Sequence, residues 1–382
     1  MIEKYLVCVF LFLGPILDVF SFYNNPLNII CRTLFLTGSI IYLLYKKKNN
    51  KYLIPLLIFS VVLFLFQYFY LNISLVSICS NILKFLYLPI SMLFFKDFLL
   101  PVDRNKILTI IVFTYLVIYY ISYITGIGVD AYVKAIGKSG FKGVFSSINE
   151  FSAIITCLIP IVFSYLKNNK KFILLLILFL MIIGSSLLIG TKVLFGGVLF
   201  GIFYLLFQER ENLFFKRSKN QKIIIALIFI FLLIGGVYLF TKTRTYQNMI
   251  VQKNFFKVKN IISFEFVNKV IYNDRIGFMI TNFKYFFKQD IFRQLLGIGM
   301  QEISVKMIEI DILDIIIRYG LIGFLVFIFI NILIIKNNRI VNTDSLISLI
   351  ILILISLTSG HVLLSPAVSI YFGLILNNSN NT

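Results

Sequence analysis

Among its 382 residues the chain has no tryptophan, one histidine and four cysteines, and only 16 acidic side chains. Each scarcity narrows the field. Cys8, Cys31, Cys79 and Cys157 fall in separate apolar runs with no Cys-x-x-Cys pair. They read as packing residues, and with a single histidine they speak against a structural zinc or iron site. Without tryptophan, any interfacial aromatic belt must come from the 21 Tyr and 42 Phe. Charged residues make up 14% of the chain against 59% hydrophobic, with a mean hydropathy of +0.95. That balance excludes an ordinary soluble globular domain.

What is present is a series of apolar runs. Ile107 to Thr125, Phe172 to Gly190 and Ile340 to Leu357 each match the roughly 20 residues that carry a helix across a hydrocarbon core. The expected fold is therefore an all-α polytopic membrane bundle. The first run, Tyr5 to Phe20, lacks a small-residue cleavage site and is followed at once by another, so it reads as a retained helix. Five loops rich in Lys and Arg, 46–51, 96–106, 167–171, 208–222 and 336–339, are expected on the cytoplasmic side by the positive-inside rule. An even number of spans separates each consecutive pair. About twelve transmembrane helices follow, with both termini cytoplasmic: 5–21, 27–45, 52–71, 73–95, 107–125, 149–166, 172–190, 192–207, 223–241, 310–335, 340–358 and 362–376. The chain then divides into helices one to nine over 1–241, a large external loop over 242–309, and helices ten to twelve over 310–382.

The external loop departs from the charge rule. It holds 11 Lys and Arg against 5 Asp and Glu. Long loops cross regardless of charge, so an incidental excess is one reading; the other is an anionic partner at the outer leaflet, such as a lipid phosphate or diphosphate. Nucleic acid is a poor candidate for a surface facing away from the cytoplasm. Within the loop, Ile276, Met279, Ile280, Phe283 and Phe287 repeat at helical spacing, predicting an amphipathic helix at the bilayer interface. Asn273 and Asp274 are N-cap residue types just before it. Arg275 then stands at a helix N-terminus, where it meets phosphate or pairs with Asp274.

Other polar residues collect at the same outer ends. Glu309, Asp311 and Asp314 sit where the loop turns into an apolar run, and a carboxylate in a bilayer is expensive enough to need a function or a partner. Asp314 and Arg318 are four apart and are expected to neutralise each other. Lys192 is the single charge of a tight outer turn, Gly190-Thr-Lys192. Asn149 and Glu150 enter the sixth span, with Ser147 or Asn149 as N-cap. His361 lies in the last outer turn, Ser359-Gly-His-Val. Asp18 and Arg32, near the outer ends of the first two spans, read as an ion pair, with Arg32 a secondary phosphate candidate.

In order and spacing, Asn149, Gly190-Thr-Lys192, Arg275, Gly297-Ile-Gly299 and Glu309-Ile-Asp-Ile-Leu-Asp followed by Gly320-Leu-Ile-Gly323 resemble the O-antigen polymerase and ligase superfamily, which includes the Wzy-type polymerases. The resemblance covers roughly residues 140 to 375. It implies a GT-C-like bundle in a bacterial cytoplasmic membrane. Such a protein uses lipid-diphosphate-linked sugars at the outer face without metal, nucleotide sugar or other cofactor. In ligase members an outer-turn Arg, a loop Arg and a His about eleven residues before the Gly-x-x-Gly are functional; the matching positions are Lys192, Arg275 and Glu309. Two of the three differ, and the acidic Glu-x-Asp together with Ser-Gly-His resembles the polymerase branch.

That branch implies a polymerase joining undecaprenyl-diphosphate-linked oligosaccharide repeats into a capsule or O-antigen type polysaccharide. The expected assignments are Glu309, Asp311 and His361 as catalytic candidates, with Arg275, Lys192, Arg244, Arg32 and Asn149 binding substrate. Partners would be the lipid-linked oligosaccharide, membrane lipid, and a chain-length regulator or flippase. The alternatives are a ligase-like transferase to another acceptor, and a transporter or flippase of lipid-linked glycan. Against the last, no internal repeat is visible and the charges gather at outer ends rather than at the midplane.

Overall fold

In the computed structural model, residues 2–23, 26–131, 139–208, 241–258, 263–299, 308–337, 342–360 and 362–377 are described. Eight described helices are long and apolar enough to cross a membrane. They are α1 (Ile2–Phe22), α2 (Leu27–Lys46), α3 (Asn50–Leu65, extended by a π-turn to Tyr70), α4 (Leu75–Asp97), α5 (Arg104–Thr125), α6 (Ile148–Asn168), α7 (Phe172–Ile189) and a later one, Asp311–Asn337. Pro15, Pro55, Pro89 and Pro160 lie inside four of them, which membrane helices tolerate when neighbours re-satisfy the freed carbonyls. The protein is an all-α polytopic membrane protein.

Three expected spans correspond to shorter apolar helices among the described residues, the first of them ending where the described residues end. They are α8 (Lys192–Gln208, 17 residues), Thr343–Thr358 (16 residues) and Pro366–Ile375 (10 residues). At 1.5 Å per residue the last rises only about 15 Å, half a typical hydrocarbon core, and it lies within the expected twelfth span over 362–376. The expected ninth span, 223–241, lies almost wholly outside the described residues.

The chain forms two compact units, residues 1–111 with 272–382, and residues 112–271. In the second, α6 is the core, with α7 and α8 packed on it. Ser147 caps α6, its hydroxyl accepting the Glu150 N–H, as expected, which puts Asn149 inside the first turn. Polar pairs stitch the interior: Ser152 to Thr191 at 3.0 Å and Ser164 to Tyr204 at 3.1 Å. A short hairpin, β1 (Val129–Asp130) with β2 (Phe141–Gly143), precedes α6, and α9 (Arg244–Phe255) packs near α7.

The first unit is organised around α4. It also holds α10 (Arg275–Phe287), α11 (Ile291–Leu296), α12 (Asp311–Asn337), α13 (Thr343–Thr358) and α14 (Pro366–Ile375). Although short, α14 is buried on every side. A Cβ on its Gly373 would sit 2.6 Å from the backbone of Ser91, so α14 and α4 touch backbone to backbone. Asn377 donates to the Phe95 and Phe98 carbonyls at 2.7 and 2.6 Å, and the buried Arg104 donates to those of Ile375 and Asn377 at 2.7 and 3.0 Å. These bonds satisfy the helix-end carbonyls that lipid cannot. The Asp18–Arg32 ion pair forms as expected, with both residues buried.

Candidate functional site

The site is built on a broken helix. α12 is interrupted at Gly320, where φ is 73° and ψ −179°, a conformation essentially confined to glycine. A break this deep would strand carbonyls of the preceding turn. The Gly297-Ile-Gly299 loop supplies the missing donors: Ile298 N–H to Ile317 O at 2.9 Å and Gly299 N–H to Arg318 O at 3.3 Å. The approach is so close that a Cβ on Gly297 would sit 2.2 Å from Arg318 O. The two glycine motifs are therefore one device, a loop plugged into a helix break.

Beneath it lies a core of Phe286, Ile298, Ile308, Ile310 and Ile317, with Met279 and Phe283 of α10 packed against it. Part of the apolar face expected to rest on the bilayer instead rests on protein; Ile280 and Phe287 remain exposed. At the start of α10 the expected cap is also different. Asn273 and Asp274 both have left-handed backbone, φ 54° and 63°, and the Asp274 side chain makes no cap hydrogen bond.

That turn delivers Arg275 into the protein rather than toward Asp274. Its Nη2 meets Glu309 Oε2 at 2.9 Å, and its Nη1 donates to the carbonyl of Thr358. Arg275 is 6% exposed, and its Nε has no hydrogen-bond partner. Glu309 is held on every side: φ is 60°, its carbonyl accepts the Gly360 N–H at 2.7 Å, and its own N–H is directed at the Asp314 carboxylate. A non-glycine residue in left-handed backbone costs about 1–2 kcal/mol, and such outliers gather where geometry serves function.

Asp311, wholly buried, faces another way. Its Oδ2 accepts the N–H groups of Val362 and Leu363, each at 2.8 Å. Asp314 is buried and feels the Arg318 charge, with the N–H groups of Ile308 and Glu309 directed at it, while its Oδ2 has no hydrogen-bond partner. The two aspartates thus staple the segments flanking the ion pair: Asp314 holds residues 308–309, and Asp311 holds the turn after Thr358. His361 lies outside the described residues.

The structure thus brings together Arg275, Glu309 and Asp311 in the first unit, while Arg32 of that unit is engaged with Asp18. Lys192, Arg244 and Asn149 belong to the second unit. There the Lys192 ammonium donates to the carbonyls of Val270 and Ile271, the latter at 2.8 Å, capping the turn that leads to Arg275 in the chain. Arg244 donates to the Leu188 carbonyl at 3.0 Å, beside the tight Gly190 turn. In β2, burial pushes the Lys142 ammonium below its ordinary pKa, and it donates to Ser146 O at 3.0 Å. Among the described residues, no three His, Cys, Asp or Glu side chains converge as a metal would require. Sequence reasoning missed the Thr358 carbonyl and the backbone N–H groups of Gly360, Val362 and Leu363, which carry no side-chain signal.

A buried cation, a partly exposed carboxylate and a glycine-locked helix break define a polytopic membrane protein with a polar site set into its helical bundle. The model of the O-antigen ligase like membrane protein family matches residues 2–265 and 252–378. The chain belongs to that family, and membership places it among membrane enzymes that process glycans. A search of curated proteins finds no match to the chain.

Proposed function

We propose that the chain is a GT-C-like polymerase that joins undecaprenyl-diphosphate-linked oligosaccharide repeats at the outer face of a bacterial cytoplasmic membrane, without a metal. The observation that carries this reading is the Arg275–Glu309 pair, a group suited to diphosphate beside a group suited to a proton. A hydroxyl of one repeat attacks C1 of the reducing-end sugar of another. The C1–O bond to the diphosphate breaks, the leaving diphosphate takes the bonding electrons, and the hydroxyl proton passes to the Glu309 carboxylate, which later releases it to water. Arg275 stabilises charge developing on the diphosphate; Lys192, Arg244, Arg32 and Asn149 are proposed as further substrate-binding residues, each within its own unit. Asp311 positions the outer turn, and His361 is the rival base or the residue that orients the acceptor.

Purified protein given lipid-linked repeat units tests this. Glu309→Gln should slow single turnover by at least roughly 10²-fold, the lower end for general acid–base catalysis. Normal turnover in Glu309→Gln with loss in His361→Gln would move the base to His361. A gel of surface polysaccharide from a deletion strain separates the classes: single repeats on lipid indicate a polymerase, and lost export indicates a flippase. The family's own description favours one second reading, a ligase, which transfer of glycan to an acceptor other than a repeat unit would establish.

A further inference from the structure

The two groups assigned to the reaction, Arg275 and Glu309, are paired with each other. We infer that Glu309 is a built-in competitor of the donor diphosphate for Arg275, so that the carboxylate becomes free to take a proton only once the diphosphate has displaced it. This rests on the diphosphate reading of the site.

Three observations carry the inference. First, Nη1 and Nη2 of Arg275 are both occupied by internal acceptors, the Thr358 carbonyl and the Glu309 carboxylate. A carbonyl is neutral and fixed by the backbone, so only the Glu309 arm is an anion that another anion can replace. Second, Nε of Arg275 is a buried donor with no partner, on a residue 6% exposed. An unsatisfied buried donor on a cation is costly, and an incoming phosphate oxygen would satisfy it. Third, the Glu309 side chain is 26% exposed where that of Arg275 is 7%, so the carboxylate is the side of the pair that solvent or substrate reaches. Its backbone stays fixed by Gly360 and Asp314. The exchange is charge-balanced: one anion leaves the guanidinium as a stronger, bidentate one arrives.

The consequence has an unusual sign. Removing the charge of the proposed base should tighten donor binding. Glu309→Gln keeps an oxygen able to accept from Nη2 but no longer competes as an anion, and it leaves Arg275 a buried cation in want of one. The test is titration of undecaprenyl diphosphate onto purified full-length protein in detergent, followed by native mass spectrometry and by thermal stabilisation. Glu309→Gln should bind about tenfold more tightly than the wild type, and Arg275→Gln should lose most binding. Glu309→Asp keeps the charge on a shorter arm and should fall between wild type and Glu309→Gln, which gives a second reading should Glu309→Gln fold poorly. Equal or weaker binding by Glu309→Gln, with the wild type binding well, overturns the competition while leaving the diphosphate site intact. Failure of both wild type and Glu309→Gln to bind the lipid overturns the competition and the diphosphate reading together.

Discussion

Replacing Gly320 by Ala probes the scaffold rather than the chemistry. A Cβ there would stand 2.2 Å from Leu295 O, 2.3 Å from Leu295 C and 2.5 Å from Gly297 N. All three are backbone atoms, so no side chain can swing away. Either α12 leaves its φ of 73° or the loop withdraws. The conformational strain is about 1–3 kcal/mol. Withdrawal also breaks the bonds to Ile317 O and Arg318 O, at about 1–2 kcal/mol each when a buried acceptor is stranded. The expected loss is about 3–7 kcal/mol, or roughly 6–14 °C at about 2 °C per kcal/mol for a chain larger than 200 residues. Thermal unfolding of purified protein in detergent measures it, with Gly38→Ala as the control because a Cβ there meets nothing within 4 Å. Equal midpoints for the two variants would show that the break does not depend on glycine, and the plugged-loop account would be wrong.

Three further outcomes are expected. Cysteines placed at Lys253 and Lys284 should react with an impermeant thiol reagent in intact cells while one at Lys219 should not; protection of the first two would invert the assignment of sides. Lys192→Arg should retain polymer on a polysaccharide gel because two carbonyls still receive a cation, whereas Lys192→Ala should lose it. Asp311→Ala should destabilise by about 3–5 kcal/mol, since two N–H groups lose a charged acceptor. Asp311→Asn should lose less because an amide oxygen can still accept from both, and equal detergent unfolding midpoints for the two variants would argue against the staple.

The helices were legible because an apolar run of about 20 residues has few other solutions in a chain of this hydropathy. The half-length α14 was not, because its apolar run resembles any other and its burial on all sides depends on Gly373 meeting Ser91, a contact far apart in sequence. Sequence pointed to Glu309, Asp311 and Arg275 by a simple rule, that charges beside apolar runs need partners. It could not pair them. Arg275 and Glu309 are 34 residues apart, and Asp274 was the nearer acid until a left-handed turn swung Arg275 inward. Asp311, the second candidate base, accepts two backbone N–H groups, which every residue but proline carries and no motif reveals.

The left-handed backbone at Glu309 also limits what can replace it. Branched side chains such as Ile, Val and Thr are poorly tolerated at φ 60°, while Asn, Asp and His are the non-glycine residues most often found there. If the histidine that the resemblance assigns to ligase members occupies the same kink, the two branches differ at a position whose main chain already accepts either group. Changing the proton acceptor would then require no movement of the loop, the helix break or the turn that holds Arg275. Such a site lets a lineage try new acceptor chemistry one side chain at a time, with the scaffold carried over unchanged.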